Sequence, residues 1–235
     1  METMRSVPDT ANGLALDLHQ FVRSLTHDIA NPLNAIAMNA ELAKALLDRG
    51  DTRTARTVLE SLLADCLRCG QLVQSIQDFG TALQPAPREP IEARALLQGA
   101  IERMRGEMCS GTNTAFQIEG AADACVVVDS AALERAFAAV LQNAVEAGAS
   151  LVKIRLAADG GWLRTEVIDN GAGIKAELRA RATDPFFTTR RAQGASGLGL
   201  TLARALVVQH GGTLDIATNN GGGTLVRMTL PTSMT

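Results

Sequence analysis

The chain has no tyrosine, one tryptophan and six phenylalanines among 235 residues, so aromatic side chains make up only 3% of it. It has no basic excess either: 22 Lys and Arg against 25 Asp and Glu leave a formal net charge of −3. With no basic stripe interleaved with aromatics, nucleic acid is not an expected partner. No uninterrupted apolar run approaches the roughly 20 residues a bilayer-spanning helix needs, and the opening METMRSVPDTANG carries no basic-then-apolar leader pattern. These absences predict a cytoplasmic chain with no membrane insertion. Cysteines are few: Cys66, Cys69, Cys109 and Cys125. Cys66-x-x-Cys69 has no second pair, and His19, His27 and His210 show no ligand spacing, so the expectation is small buried hydrophobes rather than zinc.

What is present is a globular balance, 46% hydrophobic and 20% charged, with room for one large or two ordinary domains. Residues 1–11 are polar and read as an arm. From near Asn12 to Leu14 an apolar stripe begins: Leu14, Leu18, Phe21, Leu25, Ile29, Leu33 or Ile36, Ala40, Ala43 and Leu47, at helical steps. His27 lies two residues from both Leu25 and Ile29, which at about 100° per residue puts its imidazole on the opposite, solvent-facing side. Pro32 interrupts this helix and bends it just past the histidine. Gly50 caps its end, and Asp51 or Thr52 opens a second helix with the stripe Leu59, Leu62, Cys66, Cys69, Val73, Ile76 and Leu83. Two long helices joined by a short turn make an antiparallel hairpin with apolar surface left over. Doubling it into a four-helix bundle predicts a homodimer; packing of the hairpin on its own C-terminal domain is the alternative.

Three prolines within residues 84–90 mark a linker. The expected division is a helical hairpin over 12–84, a linker over 85–90 and a second domain over 91–235. That domain alternates: a helix near 92–109, strands near 114–119 and 124–128, a helix from Ser130 to Glu146, strands near 151–157 and 162–168, a helix near 197–209, and strands near 213–218 and 224–230. The pattern predicts an α/β two-layer fold with a mixed sheet.

Polar and glycine residues cluster where these elements end. Asn143, late on its helix, offers a neutral oxygen to a hard cation such as Mg²⁺. Asp169, running off a strand into Gly171 and Gly173, can accept a hydrogen bond from an exocyclic amine where glycines allow close backbone approach. Asp184-Pro185-Phe186-Phe187-Thr188-Thr189-Arg190 puts two aromatics, hydroxyls and a cation in one loop, whose phenylalanines can pin it into an apolar slot while Arg190 and Arg191 approach phosphates. Gly194-Ala195-Ser196-Gly197-Leu198-Gly199-Leu200 opens a helix and forms an anion site from backbone amides. Gly221-Gly222-Gly223 reads as a hairpin turn.

In order, these stretches resemble the boxes of bacterial sensor histidine kinases. His27-Asp28 with Asn31-Pro32-Leu33 is similar to the H box, Asn143 to the last Asn of the N box, and Asp169-x-Gly171-x-Gly173 to the first glycine box. Asp184 to Thr189 resembles the F box, and Gly197-Leu198-Gly199-Leu200 the second glycine box. The resemblance runs from about residue 14 to 231.

It implies a dimerisation and phosphotransfer hairpin followed by a gyrase-like catalytic ATP-binding domain. His27 would be the phosphoacceptor, with Asp28 accepting a proton or orienting the ring. Asn31, one turn on, would assist dephosphorylation of the partner, a response-regulator receiver domain. ATP and Mg²⁺ would be held by Asn143, Asp169, Gly171, Gly173, Phe187, Thr188, Arg190, Gly197, Leu198 and Gly199, with Asn143 on the metal and the segment between Gly173 and Gly197 as lid. About eleven residues precede the first helix, too few for a sensor, so an upstream sensor or partner protein would supply the input.

One position departs from the pattern. Ala139, four residues before Asn143, stands where the family usually carries a second polar side chain. A slow kinase, and a phosphotransferase or receiver phosphatase making little use of ATP, therefore both stay open. A gyrase-like ATPase would have no use for His27.

Overall fold

The computed structural model describes residues 18–108, 113–120, 124–190, 195–219 and 221–232. The expected helix start near Asn12 to Leu14, together with Cys109, Arg191 and Gly194, lies outside them. Helix α1 spans Leu18–Asp48 and α2 Thr52–Ala82. Gly50 adopts φ +77° between them, and Asp51 caps α2 by accepting the Thr54 amide at 3.1 Å. Small residues let the helices approach: Ala43 and Ala55 are buried, and Asn39 Nδ2 donates across the seam to Asp65 Oδ2 at 3.5 Å.

Two expectations for the hairpin need correction. Pro32 does not interrupt α1, which is continuous on both sides of it. Proline removes the amide that would have bonded the Asp28 carbonyl one turn back, and the rest of the ladder carries the helix through. Cys66 is exposed and Cys69 only half-buried. A lone pair of helices buries a narrow seam, so Leu33 and Leu47 of the first stripe and Leu59 and Val73 of the second stay exposed, as do Met38, Leu42, Leu63 and Leu67 outside the stripes. Of the paired alternatives, Ile36 rather than Leu33 turns inward.

The second unit contains β1 (Glu89–Glu92), α3 (Ala93–Glu107), β2 (Ala115–Gly120), β3 (Cys125–Val128), α4 (Ser130–Glu146), β4 (Leu151–Asp159), β5 (Trp162–Asp169), α5 (Ala176–Arg179), α6 (Gly199–Gln209), β6 (Thr213–Thr218) and β7 (Thr224–Pro231). Five strands form one sheet in the order β2-β4-β5-β7-β6; β2 and β4 are parallel and the other neighbours antiparallel, so the sheet is mixed as expected. Strand β1, unforeseen, pairs with β3 and begins inside the Pro-rich stretch; Pro90 is tolerated in a two-stranded ladder with open edges. Helices α3, α4 and α6 cover the sheet over a core that includes Leu96, Phe137, Leu141, Ile154, Leu206 and Met228.

Polar ties fix the helices that carry the site. His210 closes α6 with Nδ1 on the Leu206 carbonyl at 2.8 Å, while Nε2 accepts the Asp129 amide at 3.1 Å. That pairing requires a neutral ring protonated on Nδ1. Burial holds its pKa below the ordinary imidazole value, opposed by the Leu206 bond. Gln209 Nε2 ties α6 to the end of α2 through the Leu83 carbonyl at 3.4 Å, and Arg88 Nη2 ties the linker to α6 through the Gln209 carbonyl at 2.8 Å.

Candidate active site

Along β5 the buried positions are Leu163, Thr165, Val167 and Asp169, so the strand's two-residue period carries a carboxylate onto the core-facing side at its last residue. Asp169 is 4% exposed. Its Oδ1 accepts two backbone amides, Gly171 at 2.8 Å and Thr224 at 3.1 Å, and among the described residues Oδ2 has no hydrogen-bond partner. Glycines are obligatory around it. A Cβ on Gly171 would come within 2.8 Å of the Ala147 carbonyl, one on Gly173 within 2.9 Å of the Gly223 carbonyl, and one on Gly223 within 2.7 Å of Asp169 Oδ1. In the sequence Gly223 reads as a turn residue. Its part in shaping the Asp169 pocket depends on β7 lying beside β5, which no local pattern reveals.

Ala147, just past α4, receives the Ala172 amide at 2.9 Å, so the Asp169 turn is fastened to the helix that carries Asn143. Asn143, Phe187, Thr188, Arg190, Gly197 and Gly199 line one cavity of about 520 Å³, a size typical of small-molecule sites. Helix α6 starts there with no side-chain cap, leaving its first amides for an anion. Arg190 Nη2 donates to Asn143 Oδ1 at 2.7 Å and pairs with Glu146 Oε2 at 3.0 Å. A cationic group therefore already sits against the expected metal ligand. Together with the unpartnered Asp169 oxygen and the glycine-lined turn, it makes the donor set fit a nucleotide with a divalent cation.

Asp169, Gly171 and Gly173 do not line this cavity; the Ala172–Ala147 bond fastens their turn to the end of the helix that does. The Leu198 side chain points elsewhere, into an apolar cluster with Phe79 and Phe186. Of the two phenylalanines expected to pin this loop into an apolar slot, Phe186 does so. It is 2% exposed, has φ +63°, and lies tilted against Phe21 with ring centroids 5.5 Å apart, Phe21 being stacked in turn on Phe79 at 5.4 Å. It thus plugs the second unit into the hairpin. Gly197 makes this possible, since a Cβ there would lie 2.6 Å from the Phe186 carbonyl carbon. Phe187 is half-buried at the cavity, with the Arg181 guanidinium 4.5 Å from its centroid.

On α1, His27 is the exposed residue its spacing predicted, with 73% of its side chain accessible. Asp28 is buried beside it, Oδ1 lying 3.2 Å from His27 Nδ1, and Asn31 Nδ2 lies 3.3 Å from the same nitrogen. One ring nitrogen cannot donate to Asp28 and accept from Asn31 at once, so these two neighbours select between tautomers. Both contacts engage Nδ1, and Nε2 has no hydrogen bond among the described residues. His27, Asp28 and Asn31 line a second cavity of about 440 Å³. Ser75 of α2 and Ala195-Ser196 line both cavities, so the two meet there.

The same arrangement is reflected in known proteins. Residues 17–84 match the His Kinase A (phospho-acceptor) domain family, and residues 128–234 match the Histidine kinase-, DNA gyrase B-, and HSP90-like ATPase family. Over 219 residues the chain is 29% identical to the C4-dicarboxylate transport sensor protein DctB of Rhizobium meliloti (strain 1021), covering 91% of this chain and 34% of DctB. It is 28% identical over 221 residues to the sensor-like histidine kinase SenX3 of Mycobacterium tuberculosis (strain ATCC 25618 / H37Rv), covering 90% of this chain and 53% of SenX3. The chain thus spans about a third to a half of the length of these relatives. Among solved structures, a mycobacterial sensor histidine kinase, MprB, matches with 28% identity and a TM-score of 0.53 over 62% of this chain and 97% of that one. Histidine kinase ThkA, in complex with response regulator protein TrrA, shares the fold at 22% identity and a TM-score of 0.62, over 92% of this chain and 62% of the compared chain. With a phosphoacceptor hairpin and a gyrase-like ATPase unit in this order, the chain belongs to the sensor histidine kinases of two-component signalling.

Proposed function

We propose that the chain is an ATP-dependent protein-histidine kinase core, in which His27 takes a phosphoryl group and passes it to an aspartate of a response-regulator receiver domain. The observation that carries this reading is the meeting of two cavities at Ser75, Ala195 and Ser196, one lined by Asn143, Arg190 and the start of α6, the other by His27. In it, residues 12–84 form the phosphotransfer unit, 85–90 the linker and 91–235 the catalytic unit.

When bound, Mg²⁺–ATP would supply the phosphoryl group, with the metal neutralising its charge. Asp169 Oδ2 would accept from the adenine amine, and Asn143 Oδ1 would hold the metal. Gly197, Gly199 and the free amides of α6 cradle phosphates, helped by Thr188 and Arg190. Phe187 walls the cavity, and Gly171 and Gly173 keep the adenine turn tight. In the attacking tautomer His27 carries its proton on Nδ1, held by Asp28 Oδ1, and presents the Nε2 lone pair. As Nε2 would bond the γ-phosphorus, the bond from that phosphorus to the bridging oxygen would break and ADP would leave with the electron pair; the ring would become cationic, and the buried Asp28 would stabilise the charge and could take the Nδ1 proton. Asn31, on the same nitrogen, favours the opposite tautomer and is suited to the reverse, dephosphorylating work. The exposed apolar side chains of α1 and α2 support a homodimer and the ThkA complex supports a receiver partner; an upstream sensor or partner protein would supply the input. ATP as donor places the core in the cytoplasm; no described helix is long and apolar enough to cross a membrane.

Incubation with Mg²⁺ and γ-labelled ATP tests this reading. Acid-labile label that disappears in His27→Ala is expected; no label, or label that survives the substitution, refutes it. A second reading, a phosphotransferase or receiver phosphatase with little use for ATP, is favoured by the methyl group of Ala139 in the cavity wall. It requires wild-type protein that takes phosphate from a phosphorylated receiver and does not bind ATP.

A further inference from the structure

Ala139, Asn143 and Glu146 follow one another on α4 at steps of four and three, so they share one face of the helix. Ala139 brings no donor to that face, whereas Glu146 brings a carboxylate one turn beyond Asn143. Both polar side chains converge on a single nitrogen: Arg190 Nη2 is 2.7 Å from Asn143 Oδ1 and 3.0 Å from Glu146 Oε2. Gln142 Nε2 holds the other carboxylate oxygen, Oε1, at 2.8 Å, which fixes the direction in which Oε2 is offered. Ala139, Gln142, Asn143 and Glu146 come from one helix and Arg190 from the loop, and all five line the same cavity.

We propose that Glu146 is a second oxygen ligand for the divalent cation, supplying what Ala139 lacks, and that Arg190 and the cation compete for the same two oxygens. The inference rests on the ATP-binding reading above. An amide oxygen and a carboxylate oxygen are hard donors of the kind Mg²⁺ takes, with water and phosphate completing its shell. A guanidinium between them is a monovalent cation in the same place, and one position cannot hold both. The Arg190 side chain is 28% exposed and that of Glu146 34%, so the contact is partly shielded from water. Yet Arg190 Nη1 is buried with no hydrogen-bond partner among the described residues. The guanidinium is incompletely satisfied where it sits, which lowers the cost of displacing it. Once displaced it stays on a loop bordering the cavity beside the start of α6, where phosphate oxygens can satisfy it as a fork. Cation entry and the transfer of Arg190 from Glu146 to phosphate are then one exchange, and the lid responds to the metal–nucleotide complex rather than to nucleotide alone.

The readout is the Mg²⁺ concentration that half-saturates binding of a non-hydrolysable fluorescent ATP analogue, followed by anisotropy and referred to binding in EDTA. Glu146→Gln is expected to raise it by about tenfold or more, the scale on which even outer-shell changes weaken metal sites. Arg190→Gln is expected to lower it, because a competitor is removed, whatever that variant does to overall nucleotide affinity. Ala139→Asn added to Glu146→Gln is expected to bring it back toward the wild-type value. Circular dichroism establishes that each variant is folded. A Glu146→Gln titration that overlays wild type overturns the proposal. So do shifts of the same sign in Glu146→Gln and Arg190→Gln, which would mark a simple ion pair fastening the lid. Wild type that binds no analogue at any Mg²⁺ concentration overturns the ATP reading itself, and this inference with it. Wild type whose binding depends on Mg²⁺ while Glu146→Gln is unchanged leaves that reading standing and removes only this one.

Discussion

Phe186→Ala separates docking of the two units from nucleotide binding. Phe186 reaches from the lid loop into a slot formed by Phe21 of α1, Phe79 of α2 and Leu198 at the start of α6. Burial of such a side chain is worth about 1.5–3 kcal/mol, and the aromatic pairing adds about 0.5–1.5 kcal/mol. Alanine would inherit the left-handed backbone at φ +63°, so the substitution recovers none of the strain there. A loss of about 2–4.5 kcal/mol follows, which at about 1.4 kcal/mol per decade weakens docking by roughly 30- to 1,600-fold. The main core, built from the sheet and α3, α4 and α6, does not include Phe186, so the catalytic unit keeps its fold. Single-turnover labelling of His27 should therefore slow by about tenfold or more while the dissociation constant for the ATP analogue moves by less than about threefold. Phe21→Ala, on the other side of the slot, should do the same, and the double variant should be less than additive because both remove one ring pair. An unchanged labelling rate in Phe186→Ala would refute the reasoning. So would a parallel loss of nucleotide affinity, which would make Phe186 part of the nucleotide pocket instead of a docking plug.

Gly223→Ala forces a methyl group against Asp169 at a φ of +86°, so nucleotide affinity should fall by about tenfold or more with His27 still able to exchange phosphate with a phosphorylated receiver; calorimetry with ADP reads the first and back-transfer the second. His210 has a folded pKa depressed by burial below an unfolded value near 6.5. Above that pH the ring is neutral in both states and its contribution is fully present; as pH falls below it, the unfolded chain takes up a proton that the folded chain resists, and stability declines. Urea midpoints measured from pH 8 to pH 5 should drop across this window, and the part of the drop due to this ring should vanish in His210→Gln. Because one chain supplies both Asn143 and His27 to the meeting cavities, mixing His27→Ala with Asn143→Ala chains under exchange conditions should not restore labelling; recovery would place the acceptor of one protomer at the nucleotide of its partner.

Much of this was determined locally and could be read from the chain. Helix α4 occupies Ser130 to Glu146 as expected, because its apolar period, the Asp129 cap and the following glycine all act within a few residues. His27 is exposed because the phase of one helix sets the direction of its side chain, and Asp169 closes a strand because the period of two extends to its end. The tertiary structure decided what lies beside these residues. Ala43 and Ala55 turn inward while Leu33, Leu59 and Val73 stay open, because a stripe wide enough for two neighbours meets only one within a single chain. Gly223 became a wall of the Asp169 pocket because β7 pairs with β5 across more than fifty residues of sequence. Phe186, one of two adjacent phenylalanines with the same composition signal, became the plug, because Gly197 lets the lid backbone turn it toward Phe21. Local periodicity encodes the direction in which a side chain leaves its own element. Its neighbours are set by packing between elements distant in sequence, and that is where Glu146 and Arg190 came to share one position with Asn143.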